Sequence, residues 1–133
     1  MTVIGLDMCE EEKVLFSAGQ LSEMQNGSEM QRFAALAFSG LLDFRQKTQG
    51  VNNVNVCDAV AMADAIWSDF EASSIACSAS CITDEGETYG EVIFYRSDMK
   101  YDTMPNLGEP NIKVVTRQNH DRFYERVNEL ISG

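Results

Sequence analysis

The chain predicts a mixed α/β fold on three observations. It opens on a β-branched apolar run, MTVIGL, and carries further strand-like runs at 73–83, 88–96 and 111–117. Between and after these lie stretches whose apolar residues recur every three or four positions, the repeat of a helix with a buried face. Finally, 133 residues, 44% apolar and 23% charged, have the size and composition of one ordinary domain around a single core.

Residues 1–6 read as a buried strand. A buried strand wants neighbours on both edges and cover on both faces, and termini ordinarily lie at the surface. A chain opening this way therefore points to partner strands outside these 133 residues. Glu10 to Lys13 is a charged turn, and Val14-Leu15-Phe16 leads into SAGQLSEMQ, a short helix stopped by Asn26-Gly27. Ser28 and Gln31 have capping-box spacing. Behind them, Met30, Phe33, Ala34, Ala37, Phe38, Leu41 and Leu42 recur at helical steps and read as a core stripe.

KTQGVNNVNV is a polar loop that delivers the chain to Cys57-Asp58 and a second helix, AVAMADAIW. Ile75, Cys77, Ala79 and Cys81 fall on one side of a strand, DEGE supplies a turn with Gly86 available for positive φ, and TYGEVIFYR completes a hairpin over 74–96. SDMKYDTMPNLGEP is a loop of a length usually found where it is functional or mobile. NIKVVTR is a last strand, and Asn119 is placed to cap a last helix with Phe123, Val127, Leu130 and Ile131 on one face.

A formal net charge of −11 argues against nucleic-acid binding, which needs basic groups to neutralise phosphates. No apolar run approaches a membrane span, and the N-terminus lacks the charged and apolar regions of a signal peptide. Cys9, Cys57, Cys77 and Cys81 form no CxxC, and one histidine is too few to complete a zinc set. Free thiols in a reducing, cytoplasmic compartment are the expectation.

Asp58 is the residue that asks for a role. It follows an irregular polar segment and begins an apolar helix, where an aspartate accepts hydrogen bonds from free N–H groups as an N-cap. The rival reading is a carboxylate held out toward a hard cation. Such a cation takes about six to eight oxygens, and the nearest acids in sequence, Asp7 and Asp64, do not complete a set.

The segment VCDAVAMADAI resembles the nucleoside hydrolase stretch H-D-P-L-A-V-A. TVIGLD followed by DMCEEEKVLF resembles the family's G-L-D strand and the V-T-x-x-V-L-F after it. ITDEGETYGEVIFYR resembles its G-x-L-T-R-G-x-T-V-x-D hairpin, and NIKVVTRQNHDRFYERVNELI its closing strand and helix. The chain is thereby similar to the inosine/uridine-preferring nucleoside hydrolase family over the family's C-terminal part only.

The resemblance implies one partial domain over residues 1–133: a mixed, mainly parallel sheet with flanking helices and a β-hairpin. It implies hydrolysis of the N-glycosidic bond of purine or pyrimidine ribonucleosides to ribose and free base. It implies Ca2+ as the family's cofactor, and Asp58 as a calcium ligand that also contacts ribose. Cys57 stands where many members carry a histidine, Ala59 where they carry proline, and Tyr89 where they carry arginine. Tyr89 and Trp67 are candidates for base stacking, with packing as the plainer role. His120 reads as a surface residue near a cap.

The family's N-terminal D-x-D-x-x-x-D-D cluster, source of most calcium ligands and of the general base, does not occur in this chain. The expectation is a truncated form with no complete catalytic set, inactive alone. The alternative is a non-catalytic binding or regulatory role, as a homo-oligomer or beside a full-length paralogue. A third reading is an independent acidic domain in which Asp58 only caps its helix.

Overall fold

A computed structural model describes residues 1–100 and 108–133. The central part of the loop assigned to 97–110 lies outside the described residues. The chain forms two compact units, residues 1–5 with 71–118 and residues 6–70 with 119–133.

The first unit is a four-stranded mixed sheet in the order β1 (Thr2–Ile4), β6 (Ile112–Gln118), β4 (Glu71–Cys81), β5 (Val92–Arg96). β1 runs parallel to β6, whereas β6–β4 and β4–β5 are antiparallel. The expected hairpin therefore makes antiparallel pairing predominate among these strands. β1 is shorter than the sequence suggests and occupies one edge; Val3 and Ile4 are half-buried rather than buried, and Leu6 is exposed.

The ladder runs past the end of β6 through Asn111. Its side chain both accepts from the Ala79 N–H (2.9 Å) and donates to the Ala79 carbonyl (3.3 Å), as a strand residue would. Cys77, Ile112 and Val115 are buried. Lys113 pairs with Glu71, which also accepts from Ser74 Oγ at 2.8 Å; these two hydrogen bonds hold the Glu71 carboxyl below its ordinary range. In the connection between β4 and β5 the left-handed residue is Gly90 (φ 84°), not Gly86. Its N–H closes the turn on the Ile82 carbonyl at 2.9 Å.

The second unit is helical. α1 (Leu6–Cys9) and a 3-10 turn lead to β2 (Phe16–Ser17), which pairs antiparallel with β3 (Asn53–Val54), a two-residue ladder that sequence periodicity is too short to reveal. α2 (Ala18–Met24) starts at a capping box of Ser17 and Gln20, and α3 (Glu29–Gln49) at the expected box of Ser28 and Gln31. α3 continues through Gln49 and ends on Gly50 in the left-handed conformation (φ 68°). α4 (Cys57–Ile66) and α5 (Phe123–Ser132) follow.

Asn119 does not cap the last helix. Its side chain donates to the Asp69 carbonyl (2.7 Å), and a 3-10 turn, His120–Arg122, intervenes before α5. The Ser28 hydroxyl donates to the Ile131 carbonyl (2.6 Å) and Gln31 Nε2 to Asn128 Oδ1 (2.7 Å), so the cap that starts α3 also ties down the end of α5.

The core of this unit is aromatic. Phe16, Phe70 and Phe123 are almost wholly buried. Phe123 meets Phe16 edge-on at 6.4 Å between ring centroids and Phe70 at 5.9 Å, and Phe16 meets Tyr124 at 5.3 Å. The stripe expected to be core on α3 divides in two. Ala34, Phe38 and Leu42 turn inward with buried Ala35 and Arg45, while Met30, Phe33, Ala37 and Leu41 are exposed. Gly40 in mid-helix has nothing within 4 Å of where a Cβ would lie. It costs the helix roughly 0.5–1 kcal/mol relative to alanine, with no compensating contact within the unit.

Truncating Phe123 to alanine is expected to cost about 3–5 kcal/mol in urea denaturation, the loss for an aromatic ring in a core that cannot collapse around the gap. Ser28→Ala is expected to cost about 1 kcal/mol, the value of a lost cap.

Candidate functional site

The site suggested by the sequence is the start of α4, and the chain reaches it through a loop held at several points. Ala18 N–H donates to the Asn52 carbonyl at 3.1 Å, β3 pairs with β2, and Gln46 reaches the Asn52 side chain. The Asn55 side chain donates to Glu10, which follows α1. Glu10 in turn accepts two bonds from the buried Arg45 of α3, Nη1 to Oε1 at 3.3 Å and Nη2 to Oε2 at 3.2 Å. A forked guanidinium on a carboxylate fixes direction as well as charge. Glu10, Arg45 and Asn55 thus tie α1, α3 and the loop together just before Cys57. The local sequence marks only one of them: Arg45 is a cation at a core-facing step of α3.

Asp58 is not the N-cap of α4. Val56 holds that position, with no side-chain cap, and Cys57 is the first helical residue. The anchors here are apolar: Val56 and Val60 are buried and leave Asp58 exposed in the first turn. A carboxylate there is stabilised by the positive end of the helix without closing a specific hydrogen bond.

Cys57 faces a second thiol. Cys9 of α1 is buried and shares a hydrogen bond with Cys57. Burial first, that hydrogen bond second, and the negative charges of Glu10 and Asp7 push the Cys9 thiol up to about 12. Cys9 is therefore a neutral, inert thiol. The position where the resemblance places a histidine is held by a free thiol hydrogen-bonded to a second thiol.

The described residues do not fit a calcium site. Asp7 and Asp58 are exposed, Asp64 is half-buried, and among the described residues no three His, Cys, Asp or Glu side chains gather to hold a metal ion. One aspartate offers two of the six to eight oxygens that calcium takes.

Three other candidates fall elsewhere. Trp67 packs edge-on against Phe70 (5.8 Å) and Phe123 (6.3 Å), with the Arg126 guanidinium 5.2 Å from its ring centre. Arg126 is also forked onto Asp69 at 2.8 and 2.5 Å, so Trp67 is a packing residue. Tyr89 does not pack: it is exposed on the turn between β4 and β5. His120 is not a surface residue but half-buried against the Phe70 ring at 5.6 Å. Burial lowers its pKa below the ordinary histidine value; Lys13 adds to the shift, and Glu11 and Asp121 oppose it.

An apolar cavity of about 180 Å³ lies within the helical unit, lined by residues including Phe16, Met24, Phe38, Val56 and Val127. It is smaller than ordinary ligand pockets and offers no polar group to orient a sugar.

No protein-family model matches the chain, and no curated protein matches it. Among solved structures, it is similar to a plant nucleoside hydrolase, the PpNRh1 enzyme, with a TM-score of 0.77 at 16% sequence identity. The match covers 99% of this chain and 41% of that one, so the chain spans less than half the length of its structural neighbour. The fold is nucleoside hydrolase-like.

Two outcomes follow from this chemistry. Asp58→Asn is expected to cost no more than about 0.5 kcal/mol and to fade in 1 M salt, as a helix-dipole interaction does; a salt-independent loss of about 1 kcal/mol or more would restore the cap. For His120, a lowered folded-state pKa means that the unfolded chain binds more protons. Its contribution is present above pH 6.5 and is lost as pH falls from there through the folded value. His120→Phe, which keeps a ring against Phe70, should flatten that part of the stability–pH curve measured by thermal melts.

Proposed function

We propose that these residues form the C-terminal part of a scaffold of the nucleoside hydrolase kind, allied to the inosine/uridine-preferring members, and that by themselves they do not cleave nucleosides. One observation carries the reading. The segment VCDAVAMADAI, similar to the family's metal and ribose motif, lies in a nucleoside hydrolase-like fold with Asp58 exposed in the first turn of its helix. Of the two carboxylates in this segment, Asp58 is the exposed one and Asp64 is half-buried, so Asp58 is the one offered to a sugar's hydroxyl groups or to a hard cation. Both jobs need companions, because glycosidic cleavage through an oxocarbenium-like state requires a second group to activate water. Among the described residues no such companions gather beside it.

In an assay of inosine and uridine with millimolar Ca2+, the chain is expected to release no base above the spontaneous rate. Its melting temperature is expected not to move with Ca2+, since a ligand stabilises only what it binds. Base release that disappears in Asp58→Asn would overturn the inactivity. Refolding with a polypeptide bearing the family's D-x-D-x-x-x-D-D half tests the scaffold itself: Ca2+-dependent hydrolysis that is lost in Asp58→Asn is the result expected. Hydrolysis indifferent to Asp58 would remove its assigned role.

A further inference from the structure

We infer that Cys9 and Cys57 form a peroxide-responsive thiol pair, which closes to an intramolecular disulfide joining the end of α1 to the start of α4. The two sulfhydryls already share a hydrogen bond. Cys9 is the last residue of α1 and Cys57 the first of α4. Each therefore stands at a helix end, where the backbone adjusts more readily than in mid-helix.

A second contact crosses between the same two segments beside the sulfurs. Glu10, the residue after Cys9, accepts a hydrogen bond from Asn55, just before Cys57. The Glu10 carboxylate is itself gripped by the buried Arg45, Nη1 to Oε1 at 3.3 Å and Nη2 to Oε2 at 3.2 Å. The thiols are thus brought face to face by a contact that does not depend on sulfur. Groups oriented in advance react as though at very high concentration. Cys77 and Cys81 cannot bridge each other in this way. They stand four residues apart on β4, with Cα atoms roughly 13 Å from one another, beyond the ~7 Å that a disulfide spans.

Exposure sets the order of events. Cys57 is half-buried and Cys9 buried, so Cys57 meets dissolved hydrogen peroxide first. Its sulfur attacks one peroxide oxygen; the O–O bond breaks, a Cys57 sulfenic acid forms and one water leaves. The Cys9 sulfur then attacks the Cys57 sulfur. The S–O bond breaks, the S–S bond forms, and the hydroxyl departs with the Cys9 proton as a second water. Two thiols are oxidised and one peroxide is reduced. Inert toward solutes, Cys9 has in Cys57 a partner it reaches without solvent. A dithiol reductant reverses the step. The bond ties the first turn of α4, which carries Asp58, to α1. It also holds residues 9–57 as a closed ring in the unfolded chain, so the oxidised form is the more stable one.

Oxidation of the full chain carrying Cys81→Ser, which removes the exposed cysteine, tests this. Reduced protein is treated with hydrogen peroxide, its remaining thiols are blocked in urea, and unreduced peptides are mapped by mass spectrometry. A linked pair of Cys9 and Cys57 peptides from one chain, lighter by two hydrogens and separated by dithiothreitol, is expected. The linked form should melt at least about 5 °C higher than the reduced one. In Cys9→Ala the Cys57 sulfenic acid should be trapped by dimedone, and in Cys57→Ala the Cys9 thiol should stay reduced. The peptide map of the unaltered pair decides even where Cys9→Ala fails to fold. Cys57 carried on to sulfinic acid with Cys9 still free overturns the proposal. So do both thiols left reduced at peroxide levels that oxidise Cys81 in the parent chain, a disulfide between two chains, or a linked form that melts no higher.

Discussion

The meeting of Phe16, Phe70 and Phe123 is the interaction on which the helical unit depends. These rings come from the start of the chain, its middle and its last helix, and within the unit they are what brings those segments together. Each is almost completely buried, so each contributes a large apolar area, and edge-on geometry adds to that burial. Around them the polar bonds are arranged to avoid conflict. Asn119 spends its side chain and its N–H on the backbone beside Phe70, and Arg126 covers the open side of Trp67 while paired with Asp69. A buried ring cannot satisfy the backbone next to it, so the neighbouring side chains do so.

The placement of Asp58 is a second-order consequence of the same packing. Val56 and Val60 are drawn inward, and the turn between them leaves the carboxylate outside. The loop before it is held by Glu10, which is itself fixed by a buried arginine. Removing Arg45 from water is unfavourable unless its charge is met, and Glu10 meets it with two bonds. The polar network thus specifies where the loop ends, while the valines specify which way the aspartate faces. A fold of the nucleoside hydrolase kind presents this one carboxylate without companions around it, among the described residues.

α3 carries two apolar rows, one buried in its unit and one exposed. Twenty-one residues at 3.6 per turn allow two separate apolar rows, and the sequence carries both. The inner row is shorter and includes two alanines and an arginine; the outer row holds the larger side chains. Burial in the unit therefore does not account for the most hydrophobic part of the helix.

Read alone, the sequence determined what local chemistry determines. The capping box at Ser28, the period of α3, the hairpin over 74–96 and the β-branched run at 112–115 each depend on neighbours within a few residues, and each is present. Similarity in four short segments was enough to indicate a nucleoside hydrolase-like fold. What the sequence left open depends on partners far along the chain. Helical spacing places Phe33 and Phe38 on one broad apolar band but does not say which edge of it meets a core. An aspartate before an apolar helix has the composition of a cap, yet whether it caps depends on where the valines beside it are pulled. Only the tertiary structure decided that Cys57 faces Cys9 and that Arg45 is buried on Glu10, because each is settled by side chains that meet across 35 residues or more, and that Asp58 faces outward, because burial draws Val56 and Val60 inward on either side of it.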